Sequence, residues 1–191
     1  MKTMILASGS PRRKELISLL PWTFEVVTKE VDETFKATLS VKENVQALAL
    51  KKARAVAKMH PERIVIGADT MVCLGEEYMG KPENEEAAVS MLQKLSGKKH
   101  CVISGVAIVC LSRNIQVTFT EKTYVKMGEL TEEEIRQYVQ SQEPMDKCGS
   151  YAIQGLGAKY IEGIEGDYFN VVGLPIHHLY EEMKKIEDRN A

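Results

Sequence analysis

The chain has 191 residues, of which 44% are hydrophobic and 27% charged, and its formal net charge is −2. This length suffices for one well-buried domain, or for one domain divided into two lobes by a cleft. The balanced charge argues against an extended basic surface for nucleic acid, so any positive patch must be local and suited to a small anion. No apolar run approaches membrane-spanning length and a predicted strand begins almost at Met1, so we expect no membrane segment and no signal peptide.

The four cysteines do not form a recognisable metal or disulfide pattern. They are Cys73, Cys101, Cys110 and Cys148, and none belongs to a C-x-x-C pair. Three of them lie in apolar, strand-like runs, where packing is the favoured role. We therefore expect reduced thiols and a cytoplasmic location.

The amino-terminal stretch 4–16 predicts a short apolar strand, a Ser/Gly turn and the start of a helix. Ser10 can cap this helix, and Pro11 stands in its first turn, where a missing N–H has no cost. Arg12 and Arg13 then lie at the positive end of the helix dipole, which is unfavourable unless an anion binds there. This pattern alone fits either a phosphate site or two solvated arginines on an exposed turn. It is not a P-loop, because no Gly-Lys-Ser/Thr follows.

The remaining elements alternate between helices and strands, which predicts an α/β fold. In chain order we predict an end of the first helix near Leu20–Pro21, a strand Phe24–Val27, a helix from the Ser40/Glu43 capping box to about Met59, a strand Ile64–Ala68, a helix Asn84–Ser96, two β-rich segments Cys101–Cys110 and Gln116–Met127, and a helix opened by the Thr131/Glu134 capping box. The glycine-rich last third predicts short strands joined by tight turns, or a loop that meets a ligand. His177 and His178 open an amphipathic terminal helix, and we expect both at the surface.

Two charged residues stand out because their surroundings are apolar. Lys52 falls inside the apolar stripe of the long helix, where its amine either extends to the solvent rim or faces an anion in a cleft. Asp69 directly follows the predicted strand Ile64–Ala68, and a carboxylate there has to be paired, metal-bound or at the mouth of a site. Ligands gather at strand ends in open α/β sheets, so we favour a functional role for Asp69.

These residues suggest phosphoanhydride chemistry. The turn Gly80-Lys81-Pro82 presents a further lysine, and Glu33 adds a second acidic candidate. Cations would neutralise a chain of phosphates, while the carboxylates hold a divalent ion and orient water. Mg²⁺ or Mn²⁺ suits a few carboxylates combined with phosphate oxygens and retained waters, and no His/Cys cluster indicates zinc. The candidate cations are Arg12, Arg13, Lys52 and Lys81.

Five segments resemble the motifs of the Maf family, in order along nearly the whole chain and at unremarkable spacing. They are Ile5–Arg13 (ILASGSPRR), Ile66–Thr70 (IGADT), Gly80–Pro82 (GKP), Met145–Gly155 (MDKCGSYAIQG) and Gly166–Pro175 (GDYFNVVGLP). Several are too long for chance agreement. Where the family pattern commonly has alanine, this chain has Cys148, a small apolar exchange that leaves a partly exposed thiol able to oxidise.

The resemblance implies a nucleoside triphosphate pyrophosphatase, which cuts between the α and β phosphates with a divalent cation. It implies an α/β fold with a mixed sheet, formed by a single domain over residues 1–191 whose two lobes flank a deep nucleotide-binding cleft, and commonly a homodimer. It also implies a catalytic role for Asp69 and a weaker metal or water role for Glu33. The phosphate-facing positions that it implies are Ser8, Arg12, Arg13, Lys52 and Lys81.

Three positions, Arg12, Thr70 and Gln154, resemble the branch of the family that acts on dTTP and UTP. The sister branch, which is similar to 7-methyl-GTP pyrophosphatases, tends to carry glutamine and glutamate at the last two. A glutamine amide has a donor and an acceptor, so it can pair with the N3–H and a carbonyl of uracil or thymine. A flipped amide could serve cytosine as well, so neighbouring groups must fix its orientation.

Two alternatives remain open from the sequence. One is a regulatory nucleotide- or nucleic-acid-binding protein linked to septum formation, against which stands the absence of a basic face for a polymer. The other is a pyrophosphatase for another base, such as 7-methyl-GTP, which would differ at Gln154 and its surroundings. We favour a pyrimidine nucleoside triphosphate as the partner, used in nucleotide-pool housekeeping, with no stable nucleic-acid partner.

Overall fold

A computed structural model describes residues 3–188, and its regular elements follow one another as α/β segments. The strands are β1 (Met4–Leu6), β2 (Phe24–Val26), β3 (Val65–Leu74), β4 (Glu77–Met79), β5 (Lys99–Cys110), β6 (Ile115–Met127) and β7 (Ile161–Glu165). The α-helices are α1 (Pro11–Ile17), α2 (Val41–Ala57), α3 (Glu85–Leu95), α4 (Glu132–Gln140), α5 (Tyr168–Val172) and α6 (Ile176–Asp188). Three 3₁₀ segments cover Glu143–Asp146, Cys148–Ser150 and Gly155–Tyr160.

The seven strands form one mixed sheet in the order β2-β1-β3-β5-β6-β7, with β4 paired to β3. β1 runs parallel to both β2 and β3, with Ile5 opposite Val65. β4 and β7 pair antiparallel with β3 and β6. The predicted mixed α/β architecture is therefore confirmed.

Helix α2 begins where the capping box predicts. The Ser40 hydroxyl accepts from the Glu43 N–H at 3.3 Å, and the Glu43 carboxylate accepts from the Ser40 N–H at 2.8 Å. Its predicted apolar stripe is buried, and it packs against Ile5, Val65 and other sheet residues. The capping box at Thr131 and Glu134 opens α4 in the same way.

The sheet lies unusually close to α2 because two strand positions are glycine. A methyl group built on Gly67 would overlap the carbonyl oxygen of Ala49 and stand 2.8 Å from the nitrogen of Ala53. One built on Gly105 would overlap the backbone of Val45. Helix and sheet thus touch through backbone atoms, which fixes the height of α2 above the strands.

The chain forms two compact units. The first contains residues up to Asp69, Ser104–Glu121, and the chain from Gly173 onward. The second contains Thr70–Ile103 and Lys122–Val172. Each has its own apolar cluster, centred on α2 in the first and on α3 and α4 in the second.

Strand β3 is longer than predicted. Asp69 does not follow the strand but lies in its middle, because the β-branched and apolar run Thr70–Leu74 continues it and pairs with β4. The strand β4 was not predicted, because its three residues, Glu77–Met79, are too few to show a strand pattern in the sequence. The expectation of a carboxylate at a strand end is therefore wrong.

The glycine-rich last third also differs from prediction. From Gly149 to the last described residue, Asp188, the chain forms 3₁₀ segments and two α-helices. The strand β7 is the only strand in that range. The glycines serve positive-φ positions, as at Gly149 (φ 68°) and Gly155 (φ 78°), and these favour tight turns over extended backbone. His178 is not a plain surface residue, because it stacks on Phe119 with centroids 4.0 Å apart and pairs with Glu121 at 3.0 Å.

Within residues 3–188, no helix has both the length and the apolar character needed to cross a membrane.

The contact between Gly67 and α2 predicts that a larger side chain at position 67 lowers the stability of the fold. Gly67→Ala should lower the free energy of unfolding by about 2 kcal/mol, because the backbone of α2 has to move away. Gly163→Ala is the matched control, since a methyl group there meets no atom within 4 Å. Urea unfolding followed by circular dichroism measures both, and equal stability of the two variants would contradict this packing.

Candidate active site

The centre of the site is an ion-paired lysine between two carboxylates. The Nζ atom of Lys52 donates to Asp69 Oδ1 at 2.8 Å and to Glu33 Oε2 at 2.8 Å. The side chains of Lys52 and Asp69 are 15% and 11% exposed, whereas that of Glu33 is 58% exposed. The predicted cation in the apolar stripe thus meets the predicted carboxylate of β3. One of its partners is buried and the other faces solvent.

Strand alternation and the glycine contact explain why this pair forms. Gly67 and Asp69 point to the same face of β3, because side chains two apart share a face. Gly67 lies against Ala49 and Ala53 of α2, and Asp69, two residues farther along the strand, meets Lys52 of the same helix. The absence of a side chain at Gly67 therefore sets how closely Lys52 and Asp69 approach each other.

The loop that carries Glu33 is held to α2 by the adjacent lysine. Lys51 donates to the carbonyl of Asp32 at 2.5 Å and to its carboxylate at 3.0 Å. Hydrogen bonds from Thr34, together with Lys51, hold the pKa of the Asp32 carboxyl well below its ordinary value. This pairing was not predicted, although an adjacent Asp-Glu pair and an adjacent Lys-Lys pair are a signal in the sequence that could have indicated it.

Arg13 ties the start of α1 to β3, one residue before Asp69. Its Nη1 donates to the Ala68 carbonyl at 2.9 Å and to Ser8 Oγ at 3.2 Å, and its Nε donates to the Gly173 carbonyl at 2.9 Å. The Ile66 carbonyl bonds to the nitrogen of Ala7, the residue after β1, so Arg13 continues the pairing where the strand stops. The guanidinium charge is thereby fixed beside the predicted catalytic residue.

The end of β1 supplies a hydroxyl and a capped helix. Ser8 is buried, and its Oγ accepts from both the Ser10 N–H at 3.3 Å and Arg13, so neither contact uses its proton. Ser10 is the N-cap of α1 and Pro11 follows it, as predicted. Arg12 lies in the first turn of this helix, next to Arg13. The helix N-terminus, a serine proton and two arginines therefore occupy one short segment.

The other predicted residues, Thr70, Lys81 and Gln154, belong to the second unit. Thr70 continues β3, and its carbonyl accepts from the thiol of Cys148 at 3.2 Å. Lys81 is exposed and follows Gly80, whose carbonyl accepts from the Gly149 N–H at 3.0 Å. Gln154 is half-buried and directly precedes the 3₁₀ segment Gly155–Tyr160.

Two carboxylates of the first unit, Asp69 and Glu33, meet at Lys52. Residues 3–188 contain no group of three or more His, Cys, Asp or Glu side chains placed to hold a metal ion. Asp69 and Glu33 nevertheless supply two carboxylates joined through one ammonium group, with hard oxygen donors. Mg²⁺ is commonly held by one or two carboxylates together with substrate phosphates and water, and carboxylate oxygens are the donor type found here.

The buried ion pair predicts a stability effect that separates Lys52 from its neighbour. Lys52→Met should lower the free energy of unfolding by about 2 kcal/mol, because it leaves Asp69 buried without its partner. Lys51→Met is the matched control, since its partner Asp32 is exposed and a solvent-screened surface pair contributes little to stability. Adding Asp69→Asn to Lys52→Met should recover most of the loss. Equal losses for the two lysine variants in urea unfolding would contradict the assignment.

Proteins similar to this chain match it over nearly its whole length. A dTTP/UTP pyrophosphatase of Bacillus cereus (strain G9842) is 54% identical over 187 residues, covering 98% of this chain and 97% of that protein. One from Bacillus cytotoxicus is also 54% identical over the same shares. The Staphylococcus aureus Ham1 protein superposes with a TM-score of 0.52 at 18% identity, over 84% of this chain and 80% of that one, which supports the fold alone. Residues 3–186 match the Maf-like protein family, and the chain belongs to it.

Proposed function

We propose that the chain hydrolyses dTTP and UTP to the nucleoside monophosphate and pyrophosphate, in the housekeeping of the nucleotide pool. The observation that carries this is the pairing of Lys52 with Asp69 and Glu33, in a chain 54% identical to proteins named dTTP/UTP pyrophosphatase. Neither alternative, a septum-linked binding protein or a 7-methyl-GTP pyrophosphatase, has comparable support. The relatives described above are named dTTP/UTP pyrophosphatases, and neither alternative function appears in those names.

The reaction adds water across the α–β phosphoanhydride. A water oxygen bonds to the α-phosphorus, the bond from that phosphorus to the α–β bridging oxygen breaks, and the electron pair leaves on the bridging oxygen of pyrophosphate. Asp69 accepts the proton that the attacking water loses. Its Oδ1 already accepts from Lys52, and a carboxylate has enough lone pairs to take a further hydrogen bond.

Cationic groups oppose the charge that gathers on the phosphate oxygens. Lys52 lies beside the reacting carboxylate, and Arg13 is held in place by its bonds to backbone carbonyls. A preorganised cation stabilises a transition state without reorganising when charge develops. Ser8 donates its hydroxyl proton to a phosphate oxygen. Arg12 and Lys81 are proposed as further contacts to the triphosphate.

A divalent cation, Mg²⁺ or Mn²⁺, would be held by Asp69 and Glu33. When bound it supplies charge neutralisation along the phosphates and lowers the barrier to attack by water. Lys52 orients these two carboxylates, because its ammonium group donates a hydrogen bond to each of them.

Base selection is proposed for Arg12, Thr70 and Gln154. The Gln154 amide would pair with the N3–H and a carbonyl of uracil or thymine, which the family resemblance supports. We further propose a cytoplasmic homodimer. The resemblance supports the dimer, and the apolar, strand-like surroundings of Cys73, Cys101 and Cys110 suit buried thiols in a reducing compartment.

The product pattern tests the proposed reaction. Incubation of dTTP or UTP with Mg²⁺ should give monophosphate and pyrophosphate in equal amounts, resolved by ion-exchange chromatography. Asp69→Asn should lower the rate about a thousandfold, because it removes the proton acceptor. Asp188→Asn, at the far end of α6, is the matched control and should keep full activity. Release of nucleoside diphosphate and orthophosphate would contradict the proposal.

Removal of divalent metal tests the cofactor. Treatment with EDTA should abolish pyrophosphate release, and Mg²⁺ or Mn²⁺ added in excess should restore it. Glu33→Gln should raise the Mg²⁺ concentration needed for half-maximal rate, since one carboxylate ligand is lost. An enzyme that keeps its full rate in EDTA, with metal content checked by mass spectrometry, would contradict this assignment.

A further inference from the structure

The segment that carries Gln154 is bound at both ends by two side chains of the second unit that no motif of the sequence analysis singled out. They are Tyr138 in α4 and Glu143 in the 3₁₀ segment that follows it. The Tyr138 hydroxyl donates to Glu143 Oε1 at 2.8 Å and accepts from the Ala152 N–H at 3.1 Å. Ala152 precedes Gln154 by two residues, so this bond holds the entry to the segment.

Glu143 holds the exit. Its Oε2 accepts from the Leu156 N–H at 2.9 Å, and its Oε1 accepts from the Gly157 N–H at 3.0 Å. These are N–H groups of the first turn of Gly155–Tyr160, which have no partner inside a helix. Glu143 therefore caps this segment from a different part of the chain.

The cap position itself belongs to Gln154, yet Gln154 does not perform the capping. Its side chain makes no cap hydrogen bond. A polar residue in an N-cap position commonly bonds to the N–H groups that follow it. Because Glu143 already takes those N–H groups, the amide of Gln154 is not drawn back to its own backbone.

The fit around this pair is close enough to require two glycines. A methyl group on Gly155, which has φ 78°, would overlap Glu143 Oε2, and one on Gly157 would overlap the hydroxyl oxygen of Tyr138. Partial burial raises the pKa of the Glu143 carboxyl, but hydrogen bonds from Leu156, Tyr138 and Gly157 outweigh it and hold the pKa below its ordinary value. The hydrogen bonds from the segment therefore favour the ionised form of Glu143, which is the form that accepts them.

We propose that Glu143, together with Tyr138, is a positioning residue for base selection, holding the Ala152–Gly157 segment so that the Gln154 amide meets a uracil or thymine edge in one orientation. This rests on the proposed function, in which Gln154 contacts the base. The residues proposed for phosphate chemistry, Ser8, Lys52 and Asp69, lie in the first unit. Loss of Glu143 should therefore relax base choice and leave hydrolysis itself largely intact.

The test compares UTP with CTP, because cytosine presents the reversed donor and acceptor pattern that a displaced or flipped amide would serve. Glu143→Ala should lower the ratio of kcat/KM for UTP over CTP by about tenfold or more, with kcat for UTP within about threefold of the parent. Glu143→Gln, which keeps one carbonyl oxygen but loses the acceptor for Leu156, should fall between. This variant keeps the test open if the alanine variant folds poorly.

A double-mutant cycle shows whether Glu143 acts through Gln154. Gln154→Ala should lower the same ratio, and adding Glu143→Ala should lower it no further, since the group being positioned is already absent. Amide hydrogen exchange should become faster at Leu156 and Gly157 in Glu143→Ala. Glu134→Ala is the matched control, because it removes the α4 capping box without touching Ala152–Gly157, and should keep the UTP preference.

The outcomes separate the two proposals. A parent enzyme that releases no pyrophosphate from UTP would overturn the proposed function and the inference that depends on it. An active parent whose UTP preference survives Glu143→Ala, or falls equally in Glu134→Ala, would overturn the positioning role alone. Independent, additive losses from Glu143→Ala and Gln154→Ala would also overturn it.

Discussion

The site depends on one interaction, the ammonium group of Lys52 between the carboxylates of Asp69 and Glu33. A buried carboxylate without a partner is costly, and a lysine in the apolar stripe of a helix would otherwise extend into water. Each charge therefore makes the other tolerable at its position. The same pairing places a cation beside two oxygen donors, the combination on which the proposed phosphoanhydride chemistry depends.

The distance between Lys52 and Asp69 is determined by the packing of α2 on the sheet. The backbone of α2 can approach the sheet only because Gly67 and Gly105 lack side chains, and the small Ala49 and Ala53 complete the contact. Asp69 then lies two residues beyond the closest point, on the face that meets the helix. A larger residue at the glycine would raise the helix and lengthen the ion pair, so the stability of the fold and the geometry of the site share a cause.

Local patterns predicted local structure well. The cap at Ser10, the boxes at Ser40 and Thr131 and the buried stripe of α2 depend on neighbours within one or two turns, and all are confirmed. Features set by distant partners were missed. The length of β3 depends on pairing with β4, and the glycine-rich last third folds as 3₁₀ segments around side chains such as Tyr138 and Glu143. Nothing near those glycines in the sequence reveals what they pack against. For the candidate site the residue types could be read from the sequence, and the roles proposed for them come from the family resemblance.

The most direct test of the central claim is a crystal structure with Mg²⁺ and an α,β-methylene analogue of dUTP, which cannot be cleaved between those phosphates. We expect phosphate oxygens within hydrogen-bonding distance of Lys52 Nζ and Ser8 Oγ, with the metal bound to Asp69. A triphosphate bound elsewhere, with Lys52 still closed on Asp69 and Glu33 and no phosphate in contact with any of the three, would contradict it.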